Sequence, residues 1–265
     1  MAISGSAVIL STLLLEKNRS NGKGPSLLVS DWVEDAGEAG FTGLEIWINH
    51  LLFSSRSEWE LIREHAGDAD LPIAALAATL PLDGSDKSQR FRETVLEACD
   101  YFRPDALKLG IADLRSEEAL GFLKEWSRDV PRDSLLLVDG GEGVLADTLA
   151  QANTVLGDSR FKAVLRPFLF APKELEAAFE RAGDFIANLG VQARKGGQRI
   201  LLEENAEDHL KILSLLRGRK FTGTWTLEST KGAGLPGESI EKMFDNAEKD
   251  LNFLIEAQAK KAKSP

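Results

Sequence analysis

The sequence predicts a single-domain (β/α)8 barrel, the TIM-barrel architecture, on three observations. Strand-like and helix-like stretches alternate from end to end and make eight pairs in 265 residues. The strand-like stretches are short, apolar on both faces and rich in branched residues, as parallel strands buried on both sides must be. The phrase Phe-Thr-Gly occurs twice, beginning at Phe41 and Phe221, 180 residues apart (221 − 41). Each copy leads into an apolar run that carries a glutamate, Glu45 in one and Glu228 in the other. A carboxylate on a buried strand is costly without a partner. Two of them at corresponding places point to a barrel whose strand ends carry a polar site.

The elements follow in order. Residues 6–15 read as the first strand. Ser30 is placed to cap a helix over 31–39, which Gly40 ends. Residues 43–47 make the second strand and 57–66 a helix with one apolar face. The third strand covers 73–80, and Pro81-Leu82-Asp83-Gly84 is a turn. An amphipathic helix spans 88–102, the fourth strand 106–110, and Ser116 and Glu118 open a helix to about 128. The fifth strand, 134–139, runs into Gly140-Gly141, and 143–156 is helical. The sixth strand is predicted over 161–170, broken at Pro167, with a helix over 172–182. The seventh strand covers 185–191, a helix 206–216, the eighth strand 224–228 and the last helix 239–259. The barrel is thus assigned residues 1–259, and 260–265 is a basic flexible tail. A doubly wound sheet is the competing architecture. It is expected to carry a glycine-rich phosphate loop after the first strand, and residues 16–24 are a poor example.

Bulk properties narrow the function classes. Hydrophobic residues make up 43% and charged residues 28% of the chain, a globular composition. The net charge of −10, from 32 basic and 42 acidic residues, argues against nucleic-acid binding, because an acidic surface repels phosphate backbones. Cys99 is the one cysteine. It precludes an internal disulfide, fits a reducing compartment and reads as a small buried hydrophobe. No run reaches the ~18 apolar residues of a membrane helix. The apolar run 7–15 has no preceding Lys or Arg and no cleavage pattern after it, so it reads as a strand and not as a signal segment. A cytoplasmic protein without membrane partners is expected, with a homodimer as the general expectation for soluble chains.

In a barrel the working groups sit at the carboxyl ends of the strands and in the loops after them. That rim collects Glu45, Trp47, Asn49 and His50 from the second strand, Thr79 from the third, and Lys108 and Asp113 from the fourth. The fifth gives Asp139 and Glu142, the sixth Arg166, the seventh Asn188 and Gln192, and the eighth Glu228 and Lys231.

Gly40-Phe41-Thr42-Gly43-Leu44-Glu45-Ile46-Trp47 through His50, Leu135-Leu136-Leu137-Val138-Asp139-Gly140-Gly141, and Phe221-Thr222-Gly223-Thr224-Trp225-Thr226-Leu227-Glu228 resemble the xylose-isomerase-like barrels. These are the sugar phosphate isomerase/epimerase family, related to the endonuclease IV fold. The resemblance covers most of the chain. It implies one divalent metal, Mn²⁺ or Mg²⁺, held by a glutamate, aspartate, histidine and glutamate at the ends of strands five to eight. This chain departs from that set. Asp139 stands for the first glutamate and Glu228 for the last, while Arg166 appears at the aspartate position and Asn188 near the histidine position. Two hard oxygen ligands suffice for a metal completed by waters. An arginine beside them opposes a dication and is suited to pair with Asp139 and Glu228 itself. A metal-bearing and a metal-free site therefore both stand.

The resemblance implies isomerisation or epimerisation of a sugar or sugar derivative, with Glu228 and Asp139 as catalytic groups. Glu45, Trp47, His50, Lys108, Arg166 and Asn188 are then the substrate-binding groups. The rival reading is a non-catalytic barrel that binds a polar or anionic small molecule or serves as a partner subunit. DNA repair is disfavoured, since the endonuclease branch uses a multi-metal cluster with several histidines and this chain has three histidines in all.

Several residues carry a structural alternative. Glu45 either pairs with Lys108 in the barrel mouth or serves the site directly. His50 is a packing histidine or a proton shuttle. Trp47 and Trp225 stack on a sugar or belong to the core. Gly140-Gly141 and Gly196-Gly197 approach a phosphate or simply turn. His65 is a favourable cation at a helix end, and the acidic run before His209 is a solvated cap.

Overall fold

The structure, a computed structural model, describes residues 7–19, 24–79, 86–110, 117–139, 156–235 and 237–259. Ten strands are formed among them. They are β1 (Val8–Ser11), β2 (Leu44–Trp47), β3 (Ile73–Thr79), β4 (Ala106–Gly110), β5 (Leu135–Asp139), β6 (Phe161–Leu165), β7 (Ile186–Val191), β8 (Ala193–Lys195), β9 (Gln198–Ile200) and β10 (Thr224–Leu227). Eight close into a barrel in the order β1-β10-β7-β6-β5-β4-β3-β2, every pair parallel. The (β/α)8 barrel expected from the alternation is the fold observed. The helices between the strands are α1 (Thr12–Leu15), α2 (Val33–Ala39), α3 (Ile48–Leu52), α4 (Arg56–Asp68), α5 (Asp86–Phe102), α6 (Glu117–Asp129), α7 (Pro172–Ala182), α8 (Ala206–Gly218) and α9 (Ile240–Ala259).

Two apolar layers make the core. Outward-facing strand residues such as Leu10, Ile46, Leu76, Leu107, Val138 and Leu189 pack with the helices. A smaller cluster of Ile9, Ala75, Ala106, Leu137 and Val164 fills the floor of the barrel interior. Both faces of each strand are buried, which is why the strands read as unbroken apolar runs rather than as alternating ones.

The differences from expectation have local causes. The first strand ends at Ser11, and Thr12–Leu15 turns into one helical turn. Periodicity cannot separate a short apolar strand from a short apolar helix. The sixth strand stops at Leu165, and Pro167–Leu169 forms a 3₁₀ turn, because Pro167 has no N–H to give to the ladder. Ser30 caps no helix. Its N–H and hydroxyl donate to Glu58 at 3.0 and 2.8 Å, and a 3₁₀ turn over Ser30–Trp32 leads into α2. Gly40 does end α2, in the left-handed region at φ 97°. The hairpin β8–β9 was not anticipated, although Gly196 (φ 58°) and Gly197 (φ 80°) between two short alternating runs are the signature of its two-residue turn. The turn at 81–84, the helix at 143–156 apart from Leu156, the rim residues Asp113 and Glu142, Gly140-Gly141 and the tail 260–265 lie outside the described residues. No helix among the described residues is long and apolar enough to cross a membrane.

The last helix is tied to the rim by one buried acid. Asp250 on α9 accepts the Leu202 N–H at 2.7 Å and the Thr230 hydroxyl at 2.6 Å. Thr230 lies two residues after Glu228, so this acid anchors the loop that follows β10. Burial pushes its carboxyl up to about 7. The Leu202 and Thr230 bonds resist the shift, and Glu203 and Glu204 add to it. The unfolded chain releases this proton near the ordinary 3.8, so the folded state binds it more tightly. The associated stability is complete below that value and is lost as pH rises to about 7, a range worth roughly 4 kcal/mol. Asp250→Asn is therefore expected to show a larger deficit against the wild type at pH 5 than at pH 7.5 in urea unfolding. Equal deficits at both pH values would refute this role for Asp250.

Candidate functional site

Period-two alternation aims every second strand residue at the barrel axis. At the carboxyl end this gathers Glu45 from β2, Lys108 from β4, Asp139 from β5, Arg166 just after β6 and Glu228 just after β10 around one cavity of about 150 Å³. Trp47, Thr79, Gln192, Ser229 and Arg19 complete much of its wall. Lys108, Glu45 and Glu228 are 5%, 2% and 7% exposed, so their charges face little solvent screening.

The charged groups form one chain of alternating sign. The Lys108 ammonium donates to both Glu45 oxygens, at 3.2 and 3.0 Å, and to Glu228 Oε1. The other Glu228 oxygen accepts Arg166 Nε at 2.8 Å. The Arg166 fork grips Asp139 with two bonds, 2.7 and 2.6 Å, the bidentate geometry for which arginine is suited. Burial alone would lower the Lys108 ammonium, but the carboxylates of Glu228, Glu45 and Asp139 outweigh it and hold it above the usual lysine range. The Arg166 guanidinium is likewise raised against its burial, by Glu228 and Asp139. Burial shifts Glu45 upward despite Lys108, with the Glu228 charge adding to the rise.

Gly190 makes room for this chain. A Cβ there would sit 2.6 Å from Glu228 Oε2, so any side chain on β7 at that place would displace the central carboxylate. The sequence reading passed over Gly190, whose only signal is a glycine inside an apolar strand.

The other anticipated residues sort differently. Glu45 is paired with Lys108, the first of its two readings, and it also lines the cavity. Trp47 lines the cavity, whereas Trp225 belongs to the core. Asn188 does not reach the mouth. It lies deeper on β7, fully buried, and donates to Thr224 and Thr226 on β10 at 2.8 Å each. His50 stands behind the wall, edge-on to Trp47 with ring centroids 5.4 Å apart. Its Nδ1 is 2.9 Å from the Thr12 hydroxyl, which also accepts the Trp47 N–H, and its Nε2 meets Glu16 at 3.1 Å. Glu16, also missed in the sequence, is fully buried. Burial opposes its charge, yet bonds from His50, Ser26 and Asn18 hold its carboxyl down at about 2.

The acidic run before His209 is exposed as a solvated cap should be, but His209 itself is not part of that surface. It is turned inward, with Nδ1 bonded to the Leu202 carbonyl at 2.7 Å and its basicity lowered by burial, while the acids before it remain exposed. His65, at the end of α4, bonds the Ser30 carbonyl at 3.0 Å. Cys99 is buried and pushed up to about 12 by that burial and by Asp100, which leaves it no nucleophilic character at neutral pH. Lys231 pairs at the surface with Glu204 at 2.6 Å.

A divalent metal is a poor fit to these residues. Both oxygens of Asp139 and both of Glu228 already accept hydrogen bonds from Lys108 or Arg166. No group of three His, Cys, Asp or Glu side chains among the described residues is arranged to hold an ion. Arg166 supplies the positive charge between Asp139 and Glu228 that a cation would otherwise supply.

No family model and no curated protein matches the chain. Solved structures do match its fold. D-psicose 3-epimerase from Clostridium cellulolyticum H10 superimposes with a TM-score of 0.71 at 11% identity, over 95% of this chain and 99% of the other. A xylose isomerase domain protein from Planctomyces limnophilus gives 0.70 at 10% identity, over 99% and 100%. The probable 3-DHS dehydratase AsbF, involved in petrobactin synthesis, from Bacillus anthracis gives 0.67 at 14% identity, over 94% and 98%. The chain has the fold of the xylose isomerase-like TIM barrels, as its motifs suggested.

Two measurements check this description. Lys108→Met leaves Glu45 and Glu228 facing each other in a buried site and is expected to cost about 3–5 kcal/mol in urea unfolding. Adding Glu45→Gln should recover part of that loss, and a double variant no more stable than the single one would contradict the charge chain. Chelator-treated protein is expected to show no saturable rise in Tm with millimolar Mn²⁺. A rise that disappears in Glu228→Gln would show that a metal displaces the arginine.

Proposed function

We propose that the barrel mouth binds a small polyhydroxylated carbonyl compound and moves a proton on the carbon beside the carbonyl. This is an isomerase or epimerase reaction with Lys108 and Arg166 in the electrostatic role. The observation that carries this reading is Glu228 bridging the two cations at the cavity wall. The substrate's carbonyl and neighbouring hydroxyl oxygens would take over hydrogen bonds that Lys108 and Arg166 now give to Glu228. That exchange does two things together. It puts fixed positive charge where the enediolate oxygen develops negative charge, and it frees a carboxylate oxygen to act as the base. Glu228 then removes the proton and returns it to the adjacent carbon or to the opposite face. Asp139 keeps the Arg166 plane in place, Glu45 balances Lys108, and Trp47 offers an apolar face to the carbon skeleton. Support from the comparisons is at the level of fold, since sugar epimerases are among the proteins that share it.

A second reading rests on one specific observation. Every oxygen of the three mouth carboxylates is engaged by Lys108 or Arg166, as suits a barrel that binds a polar ligand without turning it over.

Incubation of chelator-treated enzyme with a panel of ketoses and aldoses in D₂O separates the two. Deuterium is expected to enter at the carbon next to the carbonyl, read by NMR, and Glu228→Gln should slow the exchange by about 10²-fold or more. Saturable binding of a sugar with no exchange in any case would leave only the binding protein.

A further inference from the structure

Strand β7 turns three successive positions toward the barrel axis, and each is used differently. Asn188, the deepest, is tied to Thr224 and Thr226 in the interior. Gly190 leaves its place to the Glu228 carboxylate. Gln192 is next on that face, one residue past the end of the strand. The Glu228 N–H donates to the Val191 carbonyl at 3.2 Å, which sets Gln192 beside the end of β10, at the level of Glu228. The Gln192 side chain forms part of the cavity wall.

Gln192 differs from the charged groups around it. The carboxylates of the wall are engaged by Lys108 or Arg166, and Arg19 is fixed on the carbonyls of Glu16 and Leu14. No described residue hydrogen-bonds the Gln192 carboxamide. At 7% exposed it is not a solvated surface amide. Yet neither its oxygen nor its nitrogen is closed off within the protein, so both face the cavity. A buried amide without partners is costly, and nearly all such groups in folded proteins are paired. Here the partner has to come from the cavity. Ser229, at the end of the neighbouring strand and in the same wall, adds a buried hydroxyl that also has no hydrogen bond.

We propose that Gln192 is a specificity-determining residue that reads two hydroxyls on adjacent carbons of the ligand, one donating to its Oε1 and the other accepting from its Nε2. The inference rests on the reading of the mouth as a site for polyhydroxylated carbonyl compounds and adds which part of the compound is recognised. A carboxamide presents an acceptor and two donors side by side. A pair of neighbouring hydroxyls satisfies both kinds at once. An ionised carboxylate or phosphate only accepts, and would leave Oε1 unpaired. The level of Gln192 on the barrel gives the contact a second consequence. Hydroxyls held beside Glu228 fix which carbon of the ligand comes within reach of that carboxylate. A compound lacking one of them is rejected, because the amide atom that read it stays buried and unpaired.

Binding measured one hydroxyl at a time tests this. D-glucose and D-fructose are titrated calorimetrically into the full chain, followed by the monodeoxy analogues of each sugar that binds. The wild type is compared with Gln192→Leu and Gln192→Glu. Removing either of two hydroxyls on adjacent carbons is expected to weaken binding to the wild type by about 10-fold. Gln192→Leu should bind the parent sugar about 10-fold more weakly and those two analogues no more weakly than the parent. Since Gln192 has no partner in the protein, this variant should also keep the wild-type Tm or exceed it. Gln192→Glu, of the same size but without the donors, should lose its coupling to one of the two hydroxyls only, and it serves in place of Gln192→Leu if that variant does not fold. Losses at the same carbons that persist in Gln192→Leu, equal weakening of the parent and every analogue, or an unchanged parent affinity would each overturn the role. Coupled losses with no deuterium exchange would uphold Gln192 and sink the isomerase reading. Exchange whose rate and KM are indifferent to Gln192→Leu would do the reverse, and binding of neither sugar would remove both.

Discussion

The Lys108 ammonium is the constraint on which the barrel mouth depends. It lies 5% exposed between two glutamates, and neither carboxylate could remain ionised beside the other without it. The interaction is strong because solvent is excluded. Much of that strength only offsets the desolvation of three charged groups, so the cluster contributes more to the arrangement of the mouth than to net stability. Removing the cation costs far more than the pair ever contributed. The position is thereby held to a base whose stem spans the distance from β4 to both β2 and the end of β10.

From Lys108 outward the arrangement becomes increasingly directional. Glu228 can serve both cations only because Gly190 has no side chain. Arg166 must present Nε to Glu228 and its fork to Asp139, and its backbone conformation is set by the following proline. Before a proline the helical region is closed, and Arg166 adopts φ −107°, ψ 85°. The proline that ends β6 thus also directs the arginine. Behind the wall, Thr12, His50 and Glu16 form a second hydrogen-bonded chain. They hold Trp47 from its backbone N–H and from the edge of its ring, so the one large aromatic face in the cavity is fixed by groups that never touch a ligand.

The architecture was legible because parallel strands buried on both faces leave a periodic signal that no competing element imitates over eight repeats. Glu45, Lys108, Asp139, Arg166 and Glu228 were legible because charged residues at the ends of apolar runs have few structural reasons to exist. The same argument misjudged Asn188. A buried strand also tolerates an amide in its interior if a neighbouring strand supplies acceptors, here Thr224 and Thr226. Sequence order does not reveal which residues of β7 and β10 stand opposite each other. Glu16 and Arg19 escaped notice for a different reason. They follow a leucine run taken for one strand, and only its change into a helical turn after Ser11 carries Arg19 to the cavity wall and Glu16 behind it.

An arginine held between Asp139 and Glu228 limits the chemistry the mouth can support. A dication bound by carboxylates concentrates its charge at one point and exchanges its water for substrate oxygen. A guanidinium spreads a single charge over a planar fork, keeps its own partners and offers hydrogen bonds with less electrophilic pull. Chemistry built on such a group needs help from elsewhere, either a more acidic carbon or binding energy taken from a remote part of the ligand.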